Sequence, residues 1–204
     1  MAPDAEGAAD RPGTWRLTTV VDLDRFVPAV IVAIVLGLPG GITWARVARV
    51  PLPLGVATAA SLGVVLAATL SPAGWIPESG TGIGTCDLQH WWPGTIDLFV
   101  PSEETLNLAL LAPLGFCLGL HRTSRARNLA ILFAIGLPIL VELGQLSFPA
   151  LGRYCDSLDV VDNEIGLVAT LGPTLVLAAL LRRAFASDPA ATATDSTPSD
   201  RLAR

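Results

Sequence analysis

Lysine is missing from all 204 residues, and the 13 basic side chains are all arginines. With 19 Gly and 16 Pro alongside abundant Ala, this is the bias of a GC-rich coding sequence, and no function attaches to it. Charge of either sign is scarce, at 15% of residues against about 25% in ordinary soluble domains. A net charge of −5 gives no polybasic field, so no nucleic-acid partner is expected. The two histidines, His90 and His121, stand alone, and no nucleophile-plus-base motif accompanies them. Cys86, Cys117 and Cys155 do not reach the spacing of a structural zinc site even with His90 added, so neither a metal nor a cofactor is expected. The N-terminus lacks a basic segment leading straight into a short apolar core, so no cleavable signal peptide is expected.

What is plentiful is apolar length. Hydrophobic residues make up 51% of the chain, and the mean hydropathy is +0.57. They are gathered into runs over about 26–47, 52–70, 105–120, 128–148 and 160–181. Each run comes close to the roughly 20 residues a helix needs to cross about 30 Å of hydrocarbon. The expected fold is therefore all-α, a polytopic transmembrane bundle of about five spans. Residues 1–25 and 184–204 read as polar tails, the second disordered.

Arginines near the span ends set the orientation. Arg46 and Arg49, then Arg122, Arg125 and Arg127, then Arg182 and Arg183 all fall on one side of a five-span chain. That side is expected to be cytoplasmic, which places the N-terminus outside and the C-terminus inside. Residues 71–104 and 149–159 then lie outside, with Arg153 as their only basic residue. Cys86 and Cys155 share that oxidising side and could form a disulfide, whereas Cys117 sits near the cytoplasmic end. The adjacent Trp91 and Trp92 suit an aromatic belt at the interface better than a sugar-stacking platform.

Gly55, Ala59, Gly63 and Ala67 recur every fourth residue on the second span, a stripe that lets two backbones approach closely in lipid. Pro113, Pro138 and Pro173 sit mid-span, where each removes a ladder hydrogen bond and bends its helix.

One polar patch interrupts this apolar pattern. The fourth span ends in ELGQLSFP, and GRYCDSLDVVDNEIG follows. Seven residues separate Glu142 from Pro149, about 10 Å of helical rise, so the carboxylate lies below the interface. An acid at that depth must face the bundle and find a partner. Gln145 shares its helical face. Arg153, Asp156 and Asp159 follow in the loop, and Asp159, Asn163 and Gly166 form one stripe on the fifth span. Helix capping by Asp159, and the dipole for Asp162 and Glu164, account for those acids without a function. Neither explains Glu142, Gln145 and Arg153 reaching one depth, where Asn107 of the third span joins them. The patch is either a clamp across the helix ends or a site that also holds a polar ligand.

These residues carry a resemblance. NLALLAPLGF at 107–116, ELGQ at 142–145 and GRYCDSLDVVDNEIG at 152–166, in that order, resemble the VanZ-like family of bacterial membrane proteins, over about 69–181. TLSP at 69–72 also fits. The resemblance carries Asn107, Glu142, Gln145, Arg153, Asp156, Asp159, Asn163 and Gly166 over from the family pattern. It implies an envelope protein, the founding member being associated with reduced susceptibility to the glycopeptide teicoplanin. The long Trp- and Gly-rich loop and the acids Asp162 and Glu164 depart from that pattern.

The expectation is a non-catalytic membrane protein whose outward polar site binds an amphiphile, such as a lipid-linked cell-wall precursor or a glycopeptide. The alternative is a membrane-embedded hydrolase or transferase acting on a lipid-phosphate substrate, with Glu142 and Asp156 or Asp159 as its carboxylates. A transporter has less support, because the polar layer occupies only the outer half.

Overall fold

The computed structural model describes residues 23–72, 84–89, 91–92 and 102–186. Both expected tails, except for their ends nearest the bundle, and most of the long loop, including His90, lie outside these residues. The chain is an all-α bundle. Helix α1 spans Leu23–Ala48, α2 Leu52–Leu70, α3 Glu103–Leu110, α4 Ala112–Leu120, α5 Arg125–Ser147 and α6 Ser157–Ala186. Two-residue strands β1, Cys86–Asp87, and β2, Cys155–Asp156, pair in parallel.

α1, α2, α5 and α6 are long and apolar enough to cross a membrane; the apolar stretch Glu104–Leu120 is shorter. The expected third span is therefore not one rod but α3 and α4, broken at Leu111. Pro113 stands in the first turn of α4. It has no N–H to offer the carbonyl four residues back, and its ring crowds that carbonyl, so the helix restarts. The hydroxyl of Thr170 donates to the Ala112 carbonyl at 2.8 Å, a contact between α6 and the start of α4.

Small residues govern the packing. A Cβ on Gly55 would stand 2.6 Å from that of Ala45, and one on Gly63 would stand 3.0 Å from the Ala33 carbonyl oxygen. α1 and α2 therefore form an antiparallel hairpin whose backbones nearly touch. α4 lies as close to α6, since a Cβ on Gly115 would meet the Leu167 carbonyl at 2.6 Å. Val65, Leu111, Leu114, Leu118, Leu137 and Leu167 fill the core between α2, α4, α5 and α6. α1 flanks this core, packed chiefly on α2.

His121, isolated in the sequence, is 1% exposed in the loop between α4 and α5. Its Nε2 accepts the Trp44 indole N–H at 3.0 Å, which leaves Nδ1 as the donor to the Cys117 carbonyl at 2.7 Å. This arrangement requires a neutral ring, because a second proton on Nε2 would face the Trp44 N–H. Burial, helped by the Arg127 charge and opposed by the Cys117 carbonyl, holds its pKa below the ordinary value of 6.5. The unfolded chain therefore binds a proton in a range where the folded chain does not. Stability is full above about pH 6.5 and falls as pH drops through the folded value. The His121 contribution should appear as a melting-temperature difference between wild type and His121→Gln that narrows from pH 8 to pH 5.

Candidate functional site

The polar residues gather at the end of the bundle that carries β1 and β2. There Cys86 and Cys155 form a disulfide across a sequence separation of 69. The strand pairing places them in register, and the Cys155 N–H donates to the Thr85 carbonyl at 3.2 Å. Just before β2, a 3-10 turn at Pro149–Leu151 ends at Gly152, whose φ of +65° is one a side chain would resist. The residue that starts α6 is Asp156, whose Oδ1 accepts the Leu158 N–H at 2.8 Å. The sequence had offered Asp159 for that role. Its carboxylate points instead to α3.

Glu142 is 6% exposed, and its Oε2 accepts the Asp156 N–H at 2.8 Å. This bond ties α5 to β2. The charges that bear on Glu142 are those of Asp159, Asp156 and Arg153, so the patch is electrically one unit. Gln145 donates to the Thr69 carbonyl at 3.1 Å. Arg153 donates Nε to the Ser71 carbonyl at 3.1 Å and Nη2 to the Ala68 carbonyl at 2.8 Å. Two side chains from distant positions thus complete the C-terminus of α2, where carbonyls lack helical partners and a positive charge is favoured.

A second group forms where α3 crosses α6. Asn107 donates to Asp159 Oδ1 at 2.6 Å, and Asn163 donates back to the Asp159 carbonyl at 2.8 Å. Gly166 lets α3 approach: a Cβ there would fall 1.9 Å from the Leu108 carbonyl oxygen. The stripe of Asp159, Asn163 and Gly166 is the face that α3 covers.

The helix dipole, which the sequence offered as the reason for Asp162, does not account for its surroundings. Asp162 is 0% exposed, and neither of its oxygens has a hydrogen-bond partner. A signal was present, since Asp162 precedes Gly166 by four residues and so shares its helical side.

Beside the α2 terminus, a groove of about 570 Å³ runs between α2 and α5, lined by Leu66, Leu70, Pro72, Leu140, Gly144 and Phe148 among others. Leu70 and Pro72 alternate along the chain with Thr69 and Ser71, whose carbonyls Gln145 and Arg153 hold. An apolar trough and a polar rim are thus built on one segment.

A family profile described as VanZ/LLP1 matches residues 60–180, more than half of the chain. The chain belongs to the VanZ family. The matched stretch begins inside α2 and ends inside α6, so it holds every polar residue described above and excludes α1. In this VanZ-family chain α1 lies outside the matched residues and packs chiefly on α2. No curated protein and no solved structure matches the chain.

Proposed function

We propose that this VanZ-family membrane protein is non-catalytic and binds an amphiphile at an outward-facing site, a lipid-linked cell-wall precursor or a glycopeptide. The polar group of Asn107, Glu142, Gln145, Arg153, Asp156, Asp159 and Asn163 would meet the head, and the groove between α2 and α5 would hold the hydrocarbon tail. The observation that carries this reading is the continuity of groove and rim along 66–72. Arginines at the opposite helix ends favour that end as the cytoplasmic one. A disulfide at the polar end suits an oxidising exterior. In a bilayer the trough faces acyl chains, so a lipid-anchored ligand reaches it by lateral diffusion.

Gly144 supplies a clean test, because a Cβ there meets only Leu70 Cδ2, at 3.8 Å. Gly144→Leu should fill the trough without moving backbone. Photo-crosslinking of a diazirine-bearing lipid-linked precursor to the full chain in nanodiscs should fall at least tenfold in Gly144→Leu. It should fall similarly in Glu142→Gln, and any glycopeptide-resistance phenotype should vanish with it. Arg153→Ala should lose binding as well, with a lower melting temperature, since hydrogen bonds from a charged group contribute about 1.5–3 kcal/mol. Wild-type crosslinking and susceptibility in both Gly144→Leu and Glu142→Gln would sink the proposal. Turnover of the precursor by purified protein would replace it with the hydrolase.

A further inference from the structure

The bond from the Trp44 indole to His121, 3.0 Å long, ties the end of α1 to the loop between α4 and α5. The start of α5 joins them, with Ala126 packed against Ala45, Ala48 and Val50. Arginines flank each of these contacts. Arg46 and Arg49 lie at the end of α1, Arg122 follows His121, and Arg125 and Arg127 bracket Ala126. No Asp or Glu occurs in 37–69 or 111–141, the stretches that make these contacts. Arg127 turns to the uncharged Asn128 and Thr123. Packing thus gathers like charges with no carboxylate among them.

A hollow of about 280 Å³ lies in this patch, lined by Ile42, Ala45, Arg46, Val50 and Leu52. The way α1 ends builds its wall. The Val50 N–H turns back to the Ala45 carbonyl at 3.0 Å, and Arg49 between them takes a φ of +54°. Glycine is the usual residue at such a helix end, because a side chain is strained in the left-handed region. An arginine there keeps a positive charge beside the hollow despite the strain. Ile42 and Leu52 are 38% and 53% exposed, so an apolar rim stands next to Arg46.

We propose that this hollow seats an anionic phospholipid, with Arg46 at its phosphate and Ile42, Val50 and Leu52 against its upper acyl chain. Arg49, Arg122 and Arg125 add positive field. A ligand that fits must bring a negative charge and an apolar chain to one depth of a bilayer, and a phospholipid brings both. Arginine suits the phosphate because its planar fork presents paired donors. Basic residues at span ends also orient a chain in the membrane, but that role needs charge alone. It calls for neither a hollow nor a left-handed arginine. The hollow lies at the opposite end of α2 from the amphiphile groove, so the two sites can be tested apart.

Native mass spectrometry of the full chain in mild detergent should show one phosphatidylglycerol retained about fivefold or more over phosphatidylcholine. Arg46→Gln and Arg49→Gly should each weaken that retention about fivefold, the effect of one basic group at an anionic surface. Arg49→Gly relieves the backbone, so its melting temperature in zwitterionic nanodiscs should match or exceed that of the wild type. Arg182→Gln removes the same charge at the same end, but from α6, whereas α1 packs chiefly on α2. It should leave retention unchanged. Equal retention of the two lipids by the wild type would overturn the site. Equal losses in Arg182→Gln and Arg46→Gln would overturn it too, because they mark a diffuse attraction rather than a seat.

Discussion

Gly166→Ala is expected to be the most damaging single methyl group that can be added to this protein. The new Cβ would lie 1.9 Å from the Leu108 carbonyl oxygen and 2.8 Å from its carbon. Both are backbone atoms, so no side-chain rotation relieves the contact. α3 must lift off α6, and the displacement pulls Asn107 away from Asp159, a bond of 2.6 Å. Overpacking of well-packed interiors costs about 1–3 kcal/mol, and more when backbone must move. The expected result is a destabilisation of at least about 3 kcal/mol, seen as a sharp fall in melting temperature and in monodisperse yield from detergent. Gly136→Ala is the control, since nothing lies within 4 Å of a Cβ there. It should be neutral or stabilising by up to about 1 kcal/mol, because alanine suits a helix interior better than glycine. Equal behaviour of the two variants would show that α3 does not dock on α6 at Gly166.

The second large effect belongs to Cys86→Ser. Its disulfide with Cys155 closes a separation of 69 residues. A loop that long corresponds to about 4 kcal/mol of denatured-state entropy in the simplest chain model, with typical measured values of about 2–4 kcal/mol. Membrane insertion restricts the unfolded chain, so the lower half of that range is expected. The loss extends beyond the staple, because β2 presents the Asp156 N–H to Glu142. Reduced wild type and Cys86→Ser should melt at the same lower temperature, and oxidised wild type should melt above both. A wild type indifferent to reductant would deny the staple. Cys155→Ser leaves the Cys86 thiol free, and labelling of intact cells by an impermeant maleimide would place that end outside.

Much of the fold was legible because membrane insertion is governed by local apolar length. The runs at 52–70 and 160–181 became helices Leu52–Leu70 and Ser157–Ala186 with little boundary error at their starts. The third run was harder. Its composition read as one span, but Pro113 divided it. Helical spacing likewise grouped Asp159, Asn163 and Gly166 correctly on one face. It could not say what lay opposite. Asp156 rather than Asp159 caps α6 because β2 runs directly into the helix, a fact of strand pairing across a sequence separation of 69.

Taken alone, the sequence determined the all-α bundle, the family, the close approach of small residues and the rank of residues that would be polar at one end. These follow from periodicity and from hydrocarbon's intolerance of bare backbone, both local in origin. Tertiary structure decided the partners. It turned Arg153 and Gln145 to the carbonyls of α2, gave Glu142 a backbone N–H, and left Asp162 sealed without a donor. Hydrogen bonds depend on ångström distances between chain segments far apart in order, and no spacing along one helix contains them.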